Sequence, residues 1–371
     1  MLTLFSKKAV IDGRTVRFRT EMTILDAARQ AGIEIPTLCH IQDRFPTGVC
    51  RVCVVEVEGA RTLVGACHTP LAEGMVIRTR TPKVMAVRRG VVELMLSAHT
   101  GECVNDPNAD ACKLHNLASD CEAGAPLFGI SHPRSFPVET DNPYVLRDLS
   151  KCIMCRRCIV ACNEIAGKNV LSIGYRGFQT KIISGCDDAL TASECQHCGA
   201  CIEHCPTGAL SAANGFAPHI IAASKSTAGK PVPKTEPGRA RLLPLLKQEL
   251  AAHGALSAEG MEKVAGDLNL SVSDVFGVSS FYAFLPRDGN GAHRIRVCRC
   301  VPCHLKDGPS VIEALKNALG IEPGQATPDG RFFLEQVSCI GACDQAPAML
   351  INDTLYGNLN PETISEILKA Y

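Results

Sequence analysis

Along the first eighty residues, short apolar runs alternate with polar ones, and residues 10–11, 16–18, 52–57, 63–64 and 75–77 read as strands. One helical stretch, 23–32, interrupts them: Thr23 can cap it, Asp26 follows three residues on, and Gly32 ends it. Residues 1–80 therefore describe a small α+β domain. From 82 to 98, Val84, Val87, Val91, Leu94 and Ala98 recur at intervals of three and four, which predicts a helix packing that stripe into a core. Residues 99–140 show no period and are rich in Asn, Asp, Pro and Gly, so the rest of segment 81–140 reads as irregular. Two Cys-dense runs fill 141–222. The stretch 224–238, SKSTAGKPVPKTEPG, predicts a linker (223–238) with a span of roughly 20 Å. Beyond it the pattern predicts helices over 240–252 and from 257, and a third announced by the capping pattern at 271–274. Then come a strand at 294–298, a helix at 310–318, strands near 332–337 and 348–351, and a helix at 361–370. Residues 239–371 thus form a small helical bundle followed by an α/β domain.

At 371 residues the chain suits several domains. Lys+Arg and Asp+Glu both number 38, so no whole-chain charge favours nucleic acid or an anionic membrane. No window approaches ~18 uninterrupted apolar residues, which predicts no membrane insertion. The first residues lack the apolar core of a signal peptide, which predicts a cytoplasmic protein. There are 21 cysteines. In a reducing compartment thiols stay unpaired, so cysteines at this density point to metal.

Their spacing says which metal chemistry. Cys152, Cys155, Cys158 and Cys162 follow C-x2-C-x2-C-x3-C, and the run returns at Cys195, Cys198, Cys201 and Cys205, before Pro206. In such doubled runs the fourth Cys serves the other cluster. One [4Fe–4S] cluster would then sit on Cys152, Cys155, Cys158 and Cys205, the other on Cys195, Cys198, Cys201 and Cys162. Cys39, Cys50, Cys53 and Cys67 offer four thiolates to a [2Fe–2S] cluster, with zinc or inert thiols as alternatives. Cys298, Cys303, Cys339 and Cys343 form two loop pairs that suit a second [2Fe–2S] cluster, with zinc again an alternative. His99, Cys103 and Cys112, with Cys121 nearby, suggest a further His/Cys-ligated cluster. Cys121, Cys186 and Cys300 remain, and a buried inert thiol is the default for each.

These motifs resemble the iron–sulfur subunits of complex I and of the NAD(H)-linked hydrogenases, formate dehydrogenases and transhydrogenases. The resemblance rests on TLCH (37–40), GVCRVC (48–53), Cys67, the His99 segment and the doubled ferredoxin runs for the large subunit's N-terminal module. FGVSSFYAF (276–284), Cys298, Cys303 and CIGACDQAPAM (339–349) resemble the small [2Fe–2S] subunit. It implies an α+β multidomain chain: a β-grasp [2Fe–2S] ferredoxin, a His/Cys cluster segment, a bacterial 2[4Fe–4S] ferredoxin, and a helical bundle plus thioredoxin-like [2Fe–2S] domain. At the family's extra [4Fe–4S] site this chain offers His99, Cys103, Asp106 and Cys112, with Asp106 where the second Cys belongs. Asp106 would be an oxygen ligand there, Cys121 would substitute, or the cluster would be incomplete.

The resemblance also implies an electron-transfer subunit working beside a flavoprotein that binds FMN and NAD(H), a further catalytic oxidoreductase subunit, and ferredoxin. Soluble complexes of this kind often bifurcate electrons at the flavin. No substrate site or nucleotide loop is read from the chain itself: Gly289-Asn290-Gly291 precedes a strand and reads as a turn. The sequence stops at residue 371 without the large C-terminal extension of a respiratory NADH dehydrogenase subunit, so that reading is expected to be the weaker one. That subunit, a stand-alone polyferredoxin and a metal-stabilised scaffold are the other readings.

Overall fold

The computed structural model describes residues 7–19, 21–99, 112–124, 134–218, 238–287 and 291–371. Cys103, Asp106, Gly289 and Asn290, and all of the expected linker except residue 238, lie outside these. The backbone divides into two compact units, residues 1–240 with 269–277, and residues 241–268 with 278–371.

In the first unit, β1 (Lys7–Ile11) and β2 (Arg14–Phe18) form an antiparallel hairpin. Helix α1 (Ile24–Gln30) follows, with Thr23 and Asp26 closing a reciprocal capping box. Strands β3 (Val54–Val57), β4 (Val64–Gly65) and β5 (Val76–Arg78) complete a five-stranded sheet of order β2-β1-β5-β3-β4, in which β1 and β5 run parallel. Ile11, Phe18, Ile24, Leu25 and Ile77 are fully buried between sheet and helix.

Helix α2 (Pro82–Ala98) matches the expected span, with Thr81 accepting from the Val84 amide and Pro82 opening the first turn. Its inner face differs from expectation. Val84, Arg88 and Val92 are buried, whereas Val87 and Leu94 stand 42% and 50% exposed. The sheet-facing row follows i, i+4 steps through an arginine, which an apolar count cannot register. The irregular reading of 99–140 is corrected at α3 (Lys113–Asp120), which buries Leu114, Leu117 and Ala118.

Two antiparallel pairs frame the Cys-dense region: β6 (Val145–Arg147) with β9 (Leu210–Ala212), and β7 (Leu171–Gly174) with β8 (Lys181–Ser184). Two short helices, α4 (Arg157–Val160) and α5 (Ala200–His204), lie between β6 and β9 in the chain, one before and one after the β7–β8 hairpin. A π-helical turn, Ala161–Ile165, continues α4. Such a turn widens the helix by one residue and is common at functional sites.

The second unit contains α6 (Leu242–His253) and α7 (Ala258–Leu268), close to the predicted limits. Helix α8 (Val272–Phe281) follows in the chain, its residues 272–277 falling in the first unit and 278–281 in the second. A five-stranded sheet of order β11-β12-β10-β13-β14 is built from β10 (His293–Cys298), β11 (Gln325–Ala326), β12 (Phe332–Val337), β13 (Met349–Ile351) and β14 (Thr354–Tyr356). The parallel β10–β12 pair is bridged through α9 (Val301–Leu305) and α10 (Gly308–Leu319), and α11 (Pro361–Leu368) closes the chain. Ile295, Leu315, Leu334, Met349 and Ile351 form the core.

Candidate metal centres

The cysteines of the described residues are all free of disulfides. In the sheet domain, Cys39 lies on the loop after α1, Cys50 and Cys53 flank a tight turn, and Cys67 follows β4. Arg51 supplies the turn's left-handed residue, at φ 57°. All four thiols are buried. They meet as two pairs, Cys39 beside Cys50 and Cys53 beside Cys67. The neighbouring Cys50 thiol pulls the Cys39 thiol down to about 5, and the Cys67 thiol pulls Cys53 down to about 7. Their partners Cys50 and Cys67 are pushed up by the same pairing and by burial. Two neighbouring thiols that shift each other's ionisation in this way suit a single cation in place of a proton. Four thiolates on two irons require two on each, and two close pairs meet that requirement.

The doubled runs repeat one backbone device. Met154 and Arg156 take φ 54° and 66°, and their counterparts His197 and Gly199 take 53° and 77°. These left-handed residues coil each loop so that successive sulfurs turn to one centre, and the Met154 amide donates to Cys152 Sγ at 3.4 Å. Cys152, Cys155, Cys158 and Cys205 feel one another's charge, and so do Cys162, Cys195, Cys198 and Cys201. The second set lines a single small cavity. Burial lifts the Cys152 thiol to about 11 and Cys155 and Cys201 to about 12, and it pushes Cys158 well above its ordinary value. Thiols so desolvated ionise only when a cation takes the place of the proton. Cys158 and Cys201 also interact, so the two sets adjoin.

In the second unit, Cys298 ends β10 and is buried beside Cys303 of α9. Cys339 and Cys343 lie 3.5 Å apart, and the Gly341 amide donates to Cys339 Sγ at 3.4 Å. Two thiolates sharing one tetrahedral metal at ~2.3 Å would stand about 3.7 Å apart. Cys343 in turn senses Cys298 and Cys303, so the two pairs face each other. Cys298 and Cys303 are buried and Cys339 and Cys343 exposed, giving the centre one open side.

Around His99 the outcome differs from expectation. Cys121 caps the far end of α3 from Cys112, about 13 Å of helix away, and its charged neighbours are Arg88, Arg80, Arg89 and Asp120. It is not brought to the site. His115, which no spacing motif had singled out, is. His99, Cys112 and His115 gather with their donor atoms within 4.8 Å of one another. The signal was legible as Cys112-x2-His115, one turn apart. Burial, then the His115 ring, hold the His99 imidazole below its ordinary pKa. Of the leftover thiols Cys121 is buried, whereas Cys186 and Cys300 are partly exposed.

Folds and thiol sets together define an iron–sulfur protein built from ferredoxin-type and thioredoxin-like modules. A family model of a 2Fe-2S iron–sulfur cluster binding domain matches residues 8–82. The ferredoxin-like domain of NADH-quinone oxidoreductase subunit 3 matches 142–211, and the thioredoxin-like [2Fe-2S] ferredoxin matches 230–371. The chain is 39% identical over 208 residues to the NADP-reducing hydrogenase subunit HndD of Solidesulfovibrio fructosivorans, covering 54% of this chain and 35% of that one. It is 36% identical over 200 residues to the NADPH-Fe(3+) oxidoreductase subunit alpha of Geobacter sulfurreducens (54% and 23%). A subunit of the NADH-quinone oxidoreductase of Rhizobium meliloti is 33% identical over 207 residues (55% and 24%). The matches therefore span about a third or less of these relatives. A crystal structure of an NAD+-reducing [NiFe]-hydrogenase superposes with TM-score 0.53 at 26% identity, over 57% of this chain and 89% of that one. The chain is related to iron–sulfur subunits of NAD(P)-linked hydrogenases and NADH–quinone oxidoreductases. No helix among the described residues is long and apolar enough to cross a membrane.

Proposed function

We propose that this chain is the electron relay of a cytoplasmic, NAD(H)-linked oxidoreductase complex, carrying single electrons between an FMN-bearing partner subunit and ferredoxin or a further catalytic subunit. The observation that carries the reading is the arrangement of sixteen thiols: two sets of two close pairs, and two adjoining quartets with their fourth cysteines exchanged. Cys39, Cys50, Cys53 and Cys67 would hold one [2Fe–2S] cluster, and Cys298, Cys303, Cys339 and Cys343 the other. Cys152, Cys155, Cys158 and Cys205 would hold one [4Fe–4S] cluster, and Cys162, Cys195, Cys198 and Cys201 the second. When bound, the clusters supply one-electron redox chemistry, which a flavin must join to two-electron nicotinamide chemistry.

The chain's own residues set the order of the relay. Cys39, Cys50 and Cys155 lie in one buried cluster, which brings the N-terminal set beside the first quartet. Cys158 and Cys201 join that quartet to the second. The C-terminal set has its own compact unit and two exposed cysteines, and Val301 and Leu305, on the helix that carries Cys303, stand 69% and 77% exposed. Exposed apolar side chains on an element of an accessible centre suit docking of the flavoprotein. In its finer form the proposal puts the chain in a complex that bifurcates electrons at that flavin, the C-terminal centre serving one branch.

The test is full-length protein purified without oxygen, with and without its co-purifying flavoprotein. We expect acid-labile sulfide, bleaching by dithionite and several EPR signals, with NADH reducing the centres only when the flavoprotein is present. Colourless protein without sulfide would end the relay reading.

A further inference from the structure

We propose that His99, Cys112 and His115 form a mononuclear zinc site rather than the corner of an iron–sulfur cluster. His115 Nδ1 lies 3.3 Å from Cys112 Sγ, and His99 Nε2 lies 3.8 Å from the same sulfur. A tetrahedral ion with metal–sulfur and metal–nitrogen distances of ~2.3 and ~2.05 Å separates its sulfur and nitrogen donors by about 3.5 Å. The two observed separations bracket that value. Donors to a cubane bind different irons at its corners and point outward, so they stand further apart than donors that share one ion. This chain supplies its own contrast. Among the described residues, His99, Cys112 and His115 are the one group of three or more potential ligands drawn within 4.8 Å, while the ferredoxin quartets converge without closing so far.

The surroundings fit ligation. His99 Nδ1 meets the Lys151 carbonyl at 2.9 Å. That bond places the proton on Nδ1 and leaves Nε2, the atom facing Cys112, as the lone-pair nitrogen. His99 and Cys112 are buried. Cys112 is the residue preceding α3, and His115 projects from its first turn, so one backbone element fixes two donors. Cys112 would bind as the thiolate, releasing its proton to solvent, and the described residues would supply three of the ion's donors. Two imidazoles and a thiolate are a zinc-type set. Zinc has no redox step, so the site would fasten α2 and α3 to the backbone around Lys151 and Pro206, beside the relay and outside it. The Lys113 amide bonded to the Pro206 carbonyl at 2.8 Å makes the same connection.

Zinc and iron are counted separately, so this site and the relay stand or fall independently. Full-length protein purified without oxygen is assayed for zinc, iron and sulfide, and its zinc-edge X-ray absorption is recorded. We expect roughly one zinc per chain in a mixed nitrogen–sulfur shell. His115→Ala should cut zinc occupancy about tenfold without changing iron or sulfide, and His115→Cys, which offers a thiolate, should restore it. His115→Gln, which keeps a hydrogen-bond donor but not an imidazole, should behave like His115→Ala. Wild-type protein without zinc would overturn the proposal. So would zinc retained in His115→Ala or His115→Gln, since His115 would then be only a hydrogen-bonding neighbour of Cys112.

Discussion

The guanidinium of Arg88 reaches from α2 into the sheet domain and binds three carbonyls: Nε to Val52 at 3.0 Å, and Nη2 to Val54 at 3.1 Å and Thr79 at 3.3 Å. Val52 and Val54 flank Cys53, so this one side chain braces the Cys50–Cys53 loop against the following helix. Arg88→Met would keep the aliphatic stem and strand three buried acceptors. At about 1 kcal/mol for each lost bond, roughly 3 kcal/mol of stability should go, read as a lower denaturant midpoint with unchanged slope. Arg88→Lys should recover little of it, because an ammonium cannot reproduce the planar fork. An unshifted midpoint would mean that water replaces the arginine at no cost. At this scale the thiols were the legible part, since spacing alone grouped them. Arg88 and His115 were not legible, because a polar residue is read as solvated until its partners are known. The partners of Arg88, which are Val52, Val54 and Thr79, come from elsewhere in the chain.

Elements were legible where period and cap agree. Helix α1 was placed by its Thr23 cap and α2 by apolar steps of three and four; in the structure Thr23 and Thr81 each accept from an amide three residues on. Helix α3 escaped because its apolar face is only Leu114, Leu117 and Ala118, set in a polar stretch. The pair β7–β8 escaped because cysteines dominated the reading of 141–222. Gly199 tests how far the loop elements depend on backbone shape. It sits at φ 77° just after Cys198, and a Cβ there would come 2.6 Å from Pro218 Cβ and 2.8 Å from its Cα. Gly199→Ala combines a left-handed penalty with a backbone collision, a cost of about 1–3 kcal/mol. It falls on the turn that aims Cys198 and Cys201. Iron and sulfide should drop by about one [4Fe–4S] equivalent, with the remaining EPR signals kept. Arg156, the matching residue of the first run, already tolerates φ 66° with a side chain. Loss of iron after Gly199→Ala would therefore point to the collision with Pro218 rather than to the left-handed conformation.

Across the whole molecule, the four proposed centres differ most in how well their thiols are covered. Cys39, Cys50, Cys53 and Cys67 are all buried, each 3% exposed or less, whereas Cys339 and Cys343 lie open to solvent. A chelator or oxidant must reach sulfur or iron to attack, so susceptibility should follow exposure. Brief exposure of the full-length protein to air or a strong chelator should remove the C-terminal [2Fe–2S] signal first. The N-terminal one should outlast it by about an order of magnitude in time, and alkylation followed by mass spectrometry should find Cys339 and Cys343 labelled before Cys39 and Cys67. Equal rates for the two centres would mean that opening of the fold, not static cover, governs access. The same ranking bears on partnership. An exposed centre whose Cys303 helix also bares Val301 and Leu305 is a liability alone and an asset in a complex. Addition of the flavoprotein should slow loss at the C-terminal centre and leave the N-terminal rate unchanged. Protection at the N-terminal set instead would move the docking face to the sheet domain that carries Cys39 and Cys67.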